Sequence, residues 1–174
     1  MGCNKKYNRD YRIATDERGS QEAIYEGEYF VLSHAVTRRE WLFVIGLPLL
    51  VMSALWLAAG WQNTDAGRTL YIMLPLVAAL APLGMLWGRA VRLLRPAAFT
   101  RKERDRLAGL PNLAVVFAIF CGLSAIGALC AGIWRVPTTG WLRAMVLGGA
   151  LACGGLLWRR WISQRIVLRD FKDS

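Results

Sequence analysis

The sequence predicts an all-α integral membrane protein with four transmembrane helices arranged as two hairpins, joined by a short basic cytoplasmic helix between helices 2 and 3. Two observations carry that expectation: four apolar runs of bilayer length, and a lopsided distribution of Lys and Arg among the segments that separate them. A third, a hydroxyl-x-x-Glu signature repeated at two helix starts, sets where elements begin.

Crossing a hydrocarbon layer of about 30 Å takes roughly 20 apolar residues at about 1.5 Å rise each. Trp41 to Trp61 and Leu70 to Gly88 meet that length without a charge, and so does Leu113 to Trp134. The fourth run, Trp141 to Trp158, contains Arg143 near its start, one turn inside the helix end, where a long cationic side chain snorkels to the headgroups. These runs divide the chain into a cytoplasmic N-terminal segment over 1–36, helices over 37–61, 70–95, 113–134 and 141–162, external loops over 62–69 and 135–140, a basic loop over 96–112 and a tail over 163–174.

Positive charge then orients the map. Seven Lys and Arg fall in the first 40 residues, seven in residues 89–112 (Arg89, Arg92, Arg95, Arg101, Lys102, Arg104 and Arg106) and five from Arg159 onward, against Arg68, Arg135 and Arg143 elsewhere. Cationic loops stay inside, so both termini and the central loop are expected in the cytoplasm of a bacterial-type plasma membrane. The seven basic residues of the central loop are expected to contact anionic lipid of the inner leaflet, at about 1 kcal/mol per cation near the surface, or an acidic partner. Nucleic acid is not indicated. Seven acids offset the N-terminal bases, and Phe99 is the one aromatic residue within the basic cluster.

Local signals punctuate this plan. Thr37-Arg-Arg-Glu40 and Thr100-Arg-Lys-Glu103 match capping boxes, starting helix 1 near Thr37 and a short helix from about Arg101 to Leu107 that ends at Gly109, with Pro111 opening helix 3. Residues 1–23 mix charge with turn formers and read as loosely ordered, and IYEGEYFVLSHAV reads as a short strand or an interfacial stretch. MGC lacks the hydroxyl of a myristoylation signal at Lys6, and TRREWLF precedes a run with no cleavage site, so neither directs processing.

Small residues forecast packing. Gly84 and Gly88 form GxxxG, while Ser124, Ala128 and Gly132, and Ala144, Gly148 and Ala152, recur every four residues, so helices 3 and 4 are expected to pair most tightly. Pro48, Pro75 and Pro82 are expected to bend the first two helices. Residues 79–89, ALAPLGMLWGR, match 150–160, ALACGGLLWRR, at an offset of 71. A tandem duplication of one hairpin would produce that match, and so would the low complexity of apolar helices.

Chemistry is sparse. The confident spans hold no Asp, Glu, Lys, Arg or His, His34 is the one histidine, and no nucleotide, zinc-protease or nucleophile-elbow motif is present. Cys121 and Cys130 lie nine residues apart, about 13 Å along a helix and beyond disulfide reach. Asp16, Glu17, Glu22, Glu26 and Glu28 lack cation-loop spacing. The expectation is a non-enzymatic accessory, scaffold or regulatory subunit without cofactor, catalytic residue or metal, acting through helix packing and cytoplasmic contacts with a membrane-protein partner or another copy of itself. The alternative is a small oligomeric transporter or channel component, although exporters of this size rely on a membrane-embedded glutamate that the runs lack.

Overall fold

The computed structural model describes residues 11–15, 21–25, 27, 29–32, 37–61, 69–94, 99–134, 140–165 and 168–170. Cys3, Asp16, Glu17, Glu26, Glu28, His34, Arg68, Arg95 and Arg135 lie outside them. The chain is mostly helical and divides into two compact units, Val36–Arg95 with Gly109–Arg165, and Met1–Ala35 with Pro96–Ala108 and Ile166–Ser174.

The first unit holds four helices long and apolar enough to cross a membrane: α1 (Arg38–Gly60), α2 (Leu70–Arg92), α4 (Leu110–Ile133) and α5 (Trp141–Arg165). Thr37 starts α1 because its hydroxyl accepts from Glu40 N–H at 3.2 Å while the Glu40 carboxylate accepts from Thr37 N–H at 3.0 Å. Pro111 sits in the first turn of α4, where a missing N–H costs nothing. Gly140 precedes α5 at φ 82°, a left-handed conformation that glycine adopts without strain.

The helical pattern changes ahead of two of the prolines, while Pro75 lies inside Leu70–Ala78. Residues Leu42–Gly46, ahead of Pro48, form a π-helical turn, and α2 breaks at Ala79, ahead of Pro82. α4 and α5 make the most extensive contact, α2 packs on α4, α5 on α1, and α1 touches α2 more lightly. The tight pair has a local cause. A Cβ on Gly148 would lie 3.0 Å from the Cys121 carbonyl, one on Gly155 3.3 Å from the Ala114 carbonyl, and one on Gly122 3.8 Å from Ala152. Glycine at these positions lets the two backbones meet.

The repeated segments do not share an environment. Ala79 and Leu86 are buried whereas Ala150 and Leu157, 71 residues on, are exposed; Leu80 and Gly84 are exposed whereas Leu151 and Gly155 are buried. The two copies of the motif turn opposite faces inward.

The second unit contains the strands that an all-α expectation leaves out. β1 (Tyr11–Thr15) pairs antiparallel with β2 (Gln21–Tyr25), so residues 11–15 and 21–23 are strands where loose order is expected. β3 (Tyr29–Leu32) is the centre of a three-stranded antiparallel sheet, with β4 (Phe99–Thr100) on one side and β5 (Leu168–Asp170) on the other. Aromatic and β-branched residues in YFVL suit a pleated, half-buried strand. α3 (Arg101–Ala108) follows β4 directly and supplies Leu107, which is buried along with Phe30 and Phe99. The reason the sheet escapes a local reading is that its strands come from three distant stretches.

Candidate functional site

In the helical unit, a proline cannot donate to the carbonyl four residues back, and a side chain from another helix meets one such carbonyl, that of Val44. Val44 lies four residues before Pro48, and its carbonyl accepts from the Trp158 indole at 3.0 Å. Tyr71 lies four residues before Pro75, and its carbonyl oxygen would stand 2.9 Å from a Cβ at Gly127, so only glycine lets it approach α4 so closely. One residue on, the Ile72 carbonyl accepts from Ser124 Oγ at 2.9 Å.

Indole donors also tie α1 to α2. Trp41 Nε1 donates to the Ala90 carbonyl at 2.7 Å, Trp56 Nε1 to the Leu76 carbonyl at 2.9 Å, and Trp87 Nε1 to Ser53 Oγ at 2.9 Å. The Ser53 hydroxyl in turn donates a hydrogen bond to the Leu49 carbonyl four residues back, at 2.7 Å. The ring of Trp41 lies over Gly46, where a Cβ would stand 2.8 Å from it. Burying an indole nitrogen in an apolar bundle requires such a partner.

These bonds bring basic residues together at one end of the unit. Trp41 meets Ala90 and Trp158 meets Val44, so the start of α1 and the ends of α2 and α5 are neighbours. Arg38 and Arg39 precede Trp41, Arg89 and Arg92 flank Ala90, and Arg159 and Arg160 follow Trp158. All six fall within about one helical turn, about 5.4 Å along an axis, of these two bonds. All except the half-buried Arg89 are exposed, and Glu40 is the one acid among the described residues of the unit. At the opposite end stand Trp61 and Trp134, 87% and 77% exposed, with Tyr71 and Trp141. Arg143 is the one charged side chain there among the described residues.

The seven residues expected to contact lipid or a partner are thus divided between the units. Arg89 and Arg92 belong to the arginine end of the helices, and Arg95 lies outside the described residues. Arg101, Lys102 and Arg106 are exposed on α3, with Lys102 and Arg106 one turn apart. Arg104 instead stacks over the Phe30 ring, 4.3 Å from its centroid, and pairs with Asp105 at 3.4 Å. Glu103 accepts from Thr100 N–H at 3.1 Å, as the second capping box requires. Both acids of α3 are therefore engaged locally, and the helix keeps a cationic outer face.

The expected packing residues divide as well. Ala128 and Ala144 are buried together with Ile72, a Cβ on Gly132 would overlap the Trp141 ring, and Gly148 and Ala152 line the α4–α5 contact. Ser124, placed by spacing on the same face, turns to α2. Gly84 and Gly88 are exposed, and a Cβ on either would meet nothing within 4 Å. Sequence spacing did not single out Gly122, Gly127, Gly155 or the four indole donors. The prolines marked which carbonyls needed partners, but not which helix would supply them.

Cys121 is buried and Cys153 exposed, and both are free thiols. Among the described residues no three His, Cys, Asp or Glu side chains converge to hold a metal ion. No protein-family model matches the chain, and neither curated proteins nor solved structures give a match.

Proposed function

We propose that this chain is a four-span membrane protein, built as two helical hairpins with both termini in the cytoplasm. In this reading it catalyses no reaction and serves as an accessory, scaffold or regulatory subunit through its cytoplasmic unit. The observation that carries the reading is the β4-β3-β5 sheet, in which strands from the N-terminal segment, the central loop and the tail pair with one another. Two apolar helices separate β3 from β4 and two separate α3 from β5. If each helix crosses once, two crossings return the chain to the side it left, so paired crossings bring all three segments to one side.

The helix surfaces support insertion. Leu74 and Ile133 are each 66% exposed, Ile126 58% and Leu157 71%, on helices apolar on nearly every face. Such surface suits lipid and would promote aggregation in water. Arginines at one end and exposed tryptophans at the other fit a cytoplasmic and an external boundary, respectively. A tandem duplication draws no support from packing, since the matched segments turn opposite faces inward.

A second reading, a small oligomeric transporter or channel component, is favoured by the open Gly84–Gly88 face, which leaves room for another helix. Purification of the tagged chain from its own membrane in mild detergent, with mass spectrometry of stoichiometric companions, separates the two. A reproducible partner protein, lost when Lys102 and Arg106 are changed to Glu, supports the accessory role. A homo-oligomer that sustains proton-coupled flux in vesicles refutes it. Cysteine labelling at position 2 and position 65 tests the topology: modification of position 2 from outside intact cells would overturn it.

A further inference from the structure

We infer that the arginine end of the helical unit is a headgroup site for a phospholipid carrying two phosphates, formed between the ends of α1, α2 and α5. The inference rests on the membrane reading above and names the lipid that this end recognises. Three helices each contribute a pair of arginines there: Arg38 and Arg39, Arg89 and Arg92, Arg159 and Arg160. A guanidinium presents a planar fork of donors that matches phosphate oxygens, and pairs drawn from separate helices provide forks for more than one phosphate.

The helix ends that carry the pairs are tied to one another. Trp41 to the Ala90 carbonyl, at 2.7 Å, fastens the first pair to the second, and Trp158 to the Val44 carbonyl, at 3.0 Å, fastens the third to α1. A loose cationic fringe that only sensed surface potential would need neither bond. Fixing the backbones that carry the pairs reduces the cost of bringing three helix ends together around a headgroup. Glu40, the one acid among the described residues of the unit, accepts from the backbone N–H and the hydroxyl of Thr37 at 3.0 Å each. Acyl chains would lie along exposed apolar side chains such as Leu42, Phe43 and Trp161, which are 51%, 53% and 42% exposed. Basic surface between helices at the cytoplasmic boundary, with indoles at headgroup depth, has the chemistry of a multi-phosphate lipid site.

The test is native mass spectrometry of the purified full-length chain in detergent. Tetraoleoyl cardiolipin is compared with dioleoyl phosphatidylglycerol at twice the molar amount, so that negative charge is matched. The expected result is retention of cardiolipin at activation energies that strip phosphatidylglycerol. The paired changes R38Q/R39Q and R159Q/R160Q should each weaken retention about tenfold or more, while R143Q at the other end leaves it unchanged. Equal retention of the two lipids by the wild-type chain overturns the inference, whatever the variants do. So does displacement of cardiolipin by millimolar pyrophosphate, which would make this a free-phosphate site. Selective retention without any protein partner would keep the lipid site and count against the accessory-subunit reading, so the two fail separately.

Discussion

The Trp158 indole donates to the carbonyl of Val44 at 3.0 Å, across 114 positions of sequence, and Pro48, four residues after Val44, has no N–H to offer that carbonyl. A defect written into α1 is thereby repaired by α5. Proline is tolerated inside an apolar helix when a neighbouring helix satisfies the freed carbonyl.

Trp158→Phe keeps the ring and removes the donor. The variant should lose about 1 kcal/mol of stability, the net worth of one such bond, and melt earlier in detergent. Trp161→Phe, on the exposed side of the same helix end, is the comparison and should leave the melting midpoint where it was.

Glycines divide into two classes that substitution will separate. Gly148→Val forces a branched side chain against the Cys121 carbonyl and Ala125, both 3.0 to 3.1 Å from the new Cβ, and should cost about 1–3 kcal/mol as the α4–α5 contact opens. Gly88→Ala meets nothing within 4 Å and exchanges a poor helix former for the best one. It should be neutral or stabilising by up to about 1 kcal/mol, judged by the same melting assay.

The two serines behave differently although each sits in an apolar helix. Ser124 donates across to α2 at the Ile72 carbonyl, 2.9 Å away, whereas Ser53 donates within its own helix and accepts from Trp87 of α2. Ser124→Ala should therefore weaken the packing of α2 on α4 by about 0.6 kcal/mol and by no more than about 1.7 kcal/mol. Faster hydrogen exchange around Ile72, against an unchanged start of α1, would be the readout.

Periodicity and length made the helices legible, since a run of about 20 apolar residues without charge has few other uses. The boundaries followed from local chemistry: Thr37 with Glu40, Thr100 with Glu103, and Pro111 act within four residues of themselves. Partner choice was not local. Ser124 shares its spacing with Ala128 and Gly132, yet the carbonyl it serves lies on a helix 52 positions earlier. The arginines were legible as an orientation signal. Their gathering into one end depends on Trp41 and Trp158 finding acceptors on other helices, which no spacing rule specifies. The sheet is the extreme case: β4 has two residues and β5 three, too short to register as strands until β3 stands between them.

That dependence makes the sheet cooperative. Phe30 is buried, faces Phe99 on one side and Asp170 on the other in register, and carries the Arg104 guanidinium on its ring. Phe30→Ala removes the side chain that β4 and α3 share and should cost about 3–5 kcal/mol within this unit. Arg104→Gln removes the stacked cation, worth about 0.5–1 kcal/mol, together with its partly exposed pairing to Asp105. Hydrogen exchange distinguishes a sheet from three independent segments. In Phe30→Ala the amides of residues 29–32, 99–100 and 168–170 should speed up together, and in Arg104→Gln they should do so by a smaller common factor. Thr100→Ala, which breaks a cap worth about 1 kcal/mol, should act mainly on the first turn of α3. Protection at 168–170 that persists in Phe30→Ala would mean that β5 is held by something other than β3, and the convergence on which the functional reading rests would lose its footing.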